Sequence, residues 1–132
     1  MQPHEGNGDL RRLLTPLLVF VFCPAAFAAP PGSVRSTLYR SEPCLAAIVN
    51  REDPDWQPTT YNGGSHWRPG TPFDTSRSYG LPQADPGSKM ASAGADWRTN
   101  PVTQLRWMRG YVDGRYGSAC AAWAFWQANG WY

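Results

Sequence analysis

The chain has 132 residues, a length that suits one domain. Its formal net charge is +2, with a pI of about 8.6 and no run of like charges, so the sequence does not support a nucleic-acid-binding function. The absence of a phosphate-cradling glycine loop and of a G-x-S-x-G motif argues against a nucleotide-binding protein and against a Ser-His-Asp hydrolase.

Residues 1–28 are predicted to be a secretory signal peptide. Arg11 and Arg12 precede the apolar run "LLTPLLVFVFCPAAFA", which ends at Ala28 in an A-x-A pattern. The run is too short, and too interrupted by proline, to predict a membrane-spanning helix, although an uncleaved membrane anchor remains the alternative. We therefore expect an exported protein with no stable membrane insertion after cleavage.

The cysteines that remain after this cleavage are Cys44 and Cys120. An even count in an exported chain predicts one disulfide bond. The alternative is a thiol nucleophile at Cys44 with His66 as its base. His66 is also the last remaining histidine, and no cysteines occur at metal-ligand spacing, so we expect no metal site and no cofactor.

The first predicted elements are a flexible N-terminal segment over 29–42, which is rich in proline and serine, and a helix over 43–52. Pro43 suits the first turn of that helix, and Ser41 is a plausible N-cap. The helix should end by about Asp53, because Pro54 disfavours helical geometry in the residue before it.

Glu52 closes this helix and is the candidate acid. It follows Leu45 and Ile48 at helical spacing, so it lies on the apolar face, where burial should raise its pKa. The helix dipole acts in the same direction at a C-terminal turn. A carboxyl group that stays protonated near neutral pH is suited to general-acid catalysis. The alternative is a solvated polar residue. Asp53 and Asp55 are expected at the rim.

The second half of the chain contains a long loop over 57–78, a turn region over 79–87 and three further helices. The helices are predicted over 88–94, over 101–117 with an inner stripe of Val102, Leu105, Met108 and Val112, and over 120–130. The last is apolar all round, which predicts a buried helix. The predicted fold is a small, α-rich single domain with long loops.

Three segments, "CLAAIVNRE", "YGLPQADPGSKMASAGADW" and "NPVTQLRWMRGYVDGRYGSACAAWAFWQANGWY", resemble the lysozyme-like lytic transglycosylase domain common in actinobacterial secreted proteins. In that family a helix ends in a catalytic glutamate. A G-[LI]-x-Q motif and an N-P-x-x-Q-[IL] helix with a tyrosine follow, and a cysteine-containing helix lies near a W-Y terminus. The resemblance covers residues 44–132.

The resemblance implies an α+β lysozyme-like domain over 43–132, and it assigns a role to each matching residue. Glu52 matches the catalytic acid and base, and Cys44 and Cys120 match the structural disulfide. The positions that match the substrate-binding residues of the family are Tyr79, Gly80, Gln83 and Tyr111.

The chain departs from the family pattern at three places. Asp53 stands where a serine normally helps to orient the acid, and Asp53 could instead raise the pKa of Glu52 by like-charge repulsion. The loop over 61–77 is longer than the usual link, and His66 and Trp67 in it are candidate sugar contacts. Phe125-Trp126 stand where many transglycosylases carry a tyrosine-asparagine pair.

The predicted function is that of a secreted, cell-wall-associated lytic transglycosylase, a monomer that acts on peptidoglycan glycan strands and gives 1,6-anhydro-muropeptides. Two alternatives remain open. One is a non-catalytic module for cell-wall binding or aggregation. The other is a hydrolytic muramidase, which would need a second carboxylate, with Asp74 and Asp85 as candidates.

Overall fold

The computed structural model describes residues 31–132, so the predicted signal peptide over 1–28 lies outside the described part of the chain. The fold is built from four α-helices, with a 3₁₀ helix at Gly87–Ala93 between the second and the third. Their bounds are α1 Pro31–Ser41, α2 Pro43–Glu52, α3 Pro101–Tyr116 and α4 Ala119–Asn129. Extended pairing in residues 31–132 is limited to isolated bridges within 60–84. The prediction of a small helix-rich chain is confirmed.

Helix α1 occupies positions for which a flexible segment over 29–42 was predicted. Its proline and serine content suggested a tail, but Pro31 lies in the first turn, where a helix tolerates proline. Val34 and Leu38, one turn apart, are both buried against the core. Burial of this pair accounts for the helix, because packing of an apolar face outweighs weak local propensity.

Helix α2 has the predicted bounds but not the predicted cap. The hydroxyl of Ser41 donates to the carbonyl of Thr37 at 3.0 Å, so it does not cap α2. Glu42 is the N-cap residue instead, and its carboxylate accepts three hydrogen bonds from the Arg109 guanidinium, two from Nε at 2.9 and 2.7 Å and one from Nη2 at 2.5 Å. This ion pair joins the start of α2 to α3.

Helix α3 begins and ends as predicted. The Asn100 side chain accepts a hydrogen bond from the Val102 amide at 2.9 Å, and Gly117 ends the helix with a left-handed φ of 82°. Leu105, Met108 and Val112 are buried as expected. Val102 is 45% exposed, so its place in the inner stripe was wrong. The buried side of the first turn is instead formed by Pro101, Thr103 and Gln104. The side chains of Thr103 and Gln104 hydrogen-bond to residues of the loops.

Helix α4 is not the buried helix that its composition predicted. Ala122 is its one fully buried residue, while the rings of Trp123, Phe125 and Trp126 are half-buried. Trp123 and Trp126 pack against the buried core and stack on each other with centroids 5.6 Å apart, and Phe125 contacts Tyr116. The apolar composition of α4 therefore supplies an outer aromatic layer.

A disulfide bond between Cys44 and Cys120 joins the first turn of α2 to the first turn of α4, as predicted. The two helices meet again further along, where the Trp126 indole contacts Glu52. The distances along the axes from the disulfide to this contact are similar, about 12 Å in α2 and about 9 Å in α4 at the rise of an α-helix. Helices α2 and α4 are therefore parallel neighbours.

The buried side chains form two clusters. The helical cluster includes Leu45, Ile48 and Met108, and the loop cluster is formed by five residues, which are Tyr61, Tyr79, Ala84, Met90 and Trp97. Trp107 on α3 packs against both clusters. Within residues 31–132, none of the helices is long and apolar enough to cross a membrane.

Candidate active site

Glu52, the last residue of α2, lines a cleft of about 410 Å³. Its side chain is half-buried, which agrees with the position on the apolar face that helical spacing predicted. Oε1 of its carboxyl group accepts a hydrogen bond of 2.6 Å from Nε1 of Trp126. The end of α2 therefore presents one carboxyl group to the cleft, held from the side by α4.

Burial raises the pKa of Glu52, and the hydrogen bond from Trp126 acts in the opposite direction without cancelling it. Like-charge repulsion from Asp53, which the sequence suggested, is not among the causes. The carboxyl group is therefore biased toward its protonated form by its environment, as a general acid needs.

The cleft is lined by aromatic and polar residues, together with Pro82 and Ala84. The aromatic ones are Trp107, Tyr111, Trp131 and Tyr132, and the polar ones besides Glu52 are Asn62, Ser78, Gln83, Asp85 and Lys89. The rings of Trp107 and Tyr111 stack with centroids 5.2 Å apart and planes inclined by 15°. The hydroxyl of Tyr132 donates to the carbonyl of Pro82 at 2.7 Å, which ties the segment that follows α4 to the loop.

Of the four predicted substrate-binding residues, the structure places Gln83 and Tyr111 in the cleft with Glu52. Gln83 is held by its amide nitrogen, which donates to the carbonyl of Gly80 at 2.8 Å. Tyr79 and Gly80 are not among the lining residues. The Tyr79 ring is fully buried, and its hydroxyl donates to the carbonyl of Arg98 at 2.7 Å.

Gly80 supports the cleft from behind through its backbone. Its φ of +74° lies in the left-handed region, and a Cβ there would approach the Gln104 side chain to 2.6 Å. That side chain accepts from the Leu81 amide at 2.9 Å and donates to the carbonyls of Pro58 and Trp97 at 2.7 and 2.8 Å. Gly80 is thus required for the fit of three loop segments around one buried glutamine.

Asp53 is buried, although it was predicted at the rim with Asp55, which is exposed. The amide of Gln57 and the hydroxyl of Thr60 approach its carboxyl group, but neither oxygen makes a hydrogen bond within ordinary limits. Burial raises its pKa to about 6, and the Asp55 carboxylate adds to the effect. The chain after α2 folds back over Asp53, which explains the difference from the prediction.

The other candidate groups lie away from the cleft. His66 is exposed, with Nδ1 3.4 Å from the Thr60 hydroxyl, and neither it nor Trp67 lines the cleft. Asp74 binds the amide and hydroxyl of Ser76, which lowers its pKa. Of the two acids considered for a hydrolase, Asp85 alone lines the cleft.

The disulfide bond excludes Cys44 as a thiol nucleophile, because its sulfur is bonded to that of Cys120. Among residues 31–132, no group of three or more histidine, cysteine, aspartate or glutamate side chains is placed to hold a metal ion.

Trp126, Trp131 and Tyr132 were not assigned to the site from the sequence. A usable signal was present for Trp126. Once the disulfide pairs Cys44 with Cys120 at the starts of the two helices, Glu52 lies about 12 Å further along α2 and Trp126 about 9 Å further along α4, so both side chains lie toward the far ends of the helices. Comparisons of the chain with protein-family models, with curated proteins and with solved structures gave no match.

Proposed function

We propose that the protein is a secreted, cell-wall-associated peptidoglycan lytic transglycosylase with a lysozyme-like domain, in which Glu52 is the catalytic acid and base. The observation that carries the proposal is a half-buried carboxyl group with a raised pKa in a cleft of about 410 Å³. A cleft of this size suits a ligand of a few sugar rings. The sequence resemblance over 44–132 supports the same residue.

In the proposed reaction, Glu52 protonates the oxygen of the β-1,4 bond between N-acetylmuramic acid and N-acetylglucosamine, and the bond from C1 to that oxygen breaks. The 6-hydroxyl of the muramic acid then attacks C1, and the carboxylate takes its proton. One C–O bond forms and one breaks, and the proton returns to Glu52. The reaction does not use water, and a single carboxyl group is enough for it. Glu52, which lines the cleft, can supply that group.

The lining of the cleft supports a glycan as the ligand. The stacked pair of Trp107 and Tyr111 offers flat apolar surface for sugar rings. Asn62, Gln83 and Lys89 offer amide and ammonium groups for hydroxyl and acetamido oxygens. This combination of flat apolar and polar groups is typical of carbohydrate-binding clefts.

The proposal predicts that Glu52→Gln abolishes product release from purified cell walls, by at least about 10²-fold, because an amide cannot donate the proton. Mass spectrometry of wild-type products should show 1,6-anhydro ends. The rate should fall as the pH rises through the raised pKa of Glu52, since the protonated form starts the reaction. Asp55→Asn, an exposed acid close in sequence, is the matched control and should keep activity. Full activity in Glu52→Gln would contradict the proposal.

A hydrolytic muramidase is the second candidate, because Asp85 lines the same cleft as Glu52. Two carboxyl groups facing one bond can activate water, and the products would then carry reducing ends. Asp85→Asn separates the two candidates in the same assay. It should leave a transglycosylase active and should inactivate a hydrolase. Wall binding with no soluble product from the wild type would instead support the non-catalytic module.

A further inference from the structure

The hydrogen bond between Trp126 and Glu52 has a fixed polarity. An indole nitrogen can only donate, so Oε1 of Glu52 is an acceptor in this contact at 2.6 Å. In a neutral carboxyl group, the carbonyl oxygen is the stronger acceptor and the other oxygen carries the proton. The bond from Trp126 therefore assigns the proton of neutral Glu52 to Oε2.

The Trp126 ring is itself held by its neighbours. Trp123, one turn earlier on α4, stacks on it with centroids 5.6 Å apart and planes inclined by 23°. The Arg51 guanidinium lies over the ring, 5.5 Å from its centroid. The disulfide fixes the start of α4 against the start of α2. Because these contacts hold the indole in place, the hydrogen bond from Trp126 reaches the Glu52 carboxyl group from one fixed direction.

We propose that Trp126 is a positioning residue for Glu52, whose indole N–H fixes the plane of the carboxyl group and assigns the reactive proton to Oε2. The proposal rests on the function proposed above for Glu52. Because the bond favours the charged form of Glu52, it also opposes the effect of burial. A group that gives up a proton and takes it back in one cycle needs both influences, since burial alone would make it a poor donor.

Other titratable and charged groups surround Glu52, and they do not replace this donor. The hydroxyl of Tyr132 donates a hydrogen bond to the carbonyl of Pro82, and burial and the Glu52 charge raise the pKa of Tyr132. The hydroxyl of Tyr111 accepts from Arg115 at 3.0 Å. Asp85 and Lys89 line the cleft, Asp53 follows Glu52, and Arg51 lies over Trp126. Trp126 is the group that hydrogen-bonds to the Glu52 carboxyl in the described part of the chain.

The direct test is an NMR titration of the Glu52 carboxyl carbon in protein labelled at glutamate. The chain contains three glutamates, Glu5, Glu42 and Glu52, and Glu52→Gln identifies the signal. Trp126→Phe keeps a stacking ring but removes the donor, and it should raise the pKa of Glu52 by about one unit. Trp126→Gln places an amide nitrogen at the same number of bonds from Cα and should move the pKa back toward the wild-type value.

Trp123→Phe is the matched control, because it removes an N–H from the neighbouring ring of the same stack and should leave the Glu52 titration unchanged. Activity is measured on the same variants, where the alkaline limb of the kcat/KM profile should move up by about one pH unit in Trp126→Phe. An unchanged Glu52 pKa in folded Trp126→Phe overturns the inference, whatever the activity. A raised pKa in a protein that releases no product from cell walls supports the role of Trp126 and contradicts the proposed function.

Discussion

At the scale of single residues, the carboxyl group of Asp53 has an unusual environment. It is buried at the end of α2, and this burial raises its pKa to about 6, although the nearby Gln57 amide and Thr60 hydroxyl act in the opposite direction. In the unfolded chain the same group titrates near its ordinary value of about 3.9. The folded state therefore binds the proton of Asp53 more tightly than the unfolded state does.

This difference predicts how the stability depends on pH. Above about pH 6 Asp53 is charged in both states, and its burial costs on the order of 2 kcal/mol. The cost is relieved as the pH falls from about 6 toward about 4. Asp53→Asn removes this titration. The free energy of unfolding of the wild type, minus that of the variant, should therefore rise as the pH falls from about 6 to about 4. Urea unfolding at pH 4, 5, 6 and 7 measures it, and a pH-independent difference would rule the effect out.

The sequence predicted that Glu52 lies on the apolar face of α2, but it did not predict that Asp53 is buried. The difference has a physical reason. The orientation of Glu52 follows from the period of α2, which is a local property of ten residues. The burial of Asp53 depends on Gln57 and Thr60, which belong to a loop that folds back over the helix end. Loop placement of this kind depends on contacts distant in sequence, and no periodic pattern reports it.

At the scale of elements, the segment from Tyr79 to Gln83 shows how backbone conformation shapes the cleft. Gly80 turns the chain with a positive φ, so that Gln83 reaches the cleft while Tyr79 enters the loop cluster. The resemblance assigned all three residues to sugar binding. Their placement divides them into one residue that lines the cleft and two that support it.

Gly80→Ala should lower the free energy of unfolding by at least about 2 kcal/mol, because the left-handed conformation is strained and the new methyl group meets Gln104. Gly110→Ala on α3 is the matched control. A Cβ there meets nothing within 4 Å, and the gain in helix propensity should stabilise the protein by up to about 1 kcal/mol. Urea denaturation measures both changes, and equal effects of the same sign would refute this account of Gly80.

Among the helices, α2, α3 and α4 were predicted from the sequence and α1 was not, while the burial of α4 was predicted wrongly. Helices α2 and α3 carry local start signals, Pro43 and the Asn100 cap, together with apolar residues at helical spacing. Helix α1 has two such residues, Val34 and Leu38, in a segment with the composition of a linker. The apolar composition of α4 suggested that the whole helix is buried. This was wrong because composition does not show which aromatic rings cover one another at the surface.

At the scale of the whole molecule, the disulfide closes most of the described chain into one loop, with Cys44 and Cys120 separated by 76 positions. A loop of that length contributes about 4 kcal/mol in the chain-entropy model. This is a large share of the stability of a small domain, since small domains bury a limited apolar area. The pairing was predictable because two cysteines remain once the predicted signal peptide is set aside.

The double variant Cys44→Ala/Cys120→Ala should therefore unfold at a lower urea concentration, with a loss of about 4 kcal/mol. The wild type reduced with dithiothreitol should show a similar loss, which controls for the changed side chains. A loss below about 1 kcal/mol in both samples would mean that the unfolded chain is already compact enough for the cross-link to add little.

The parallel pairing of α2 and α4 also limits how the sequence can change in length. The disulfide and the contact from Trp126 to Glu52 fix two points on each helix. Each residue turns a helix by about 100°, so a single insertion between Cys120 and Trp126 would carry the indole away from the carboxyl group. The exposed residues around Gly70 lie under no such constraint, because they belong to an open loop that does not line the cleft. Insertions and deletions should therefore accumulate in that loop, while the spacing from Cys120 to Trp126 stays constant.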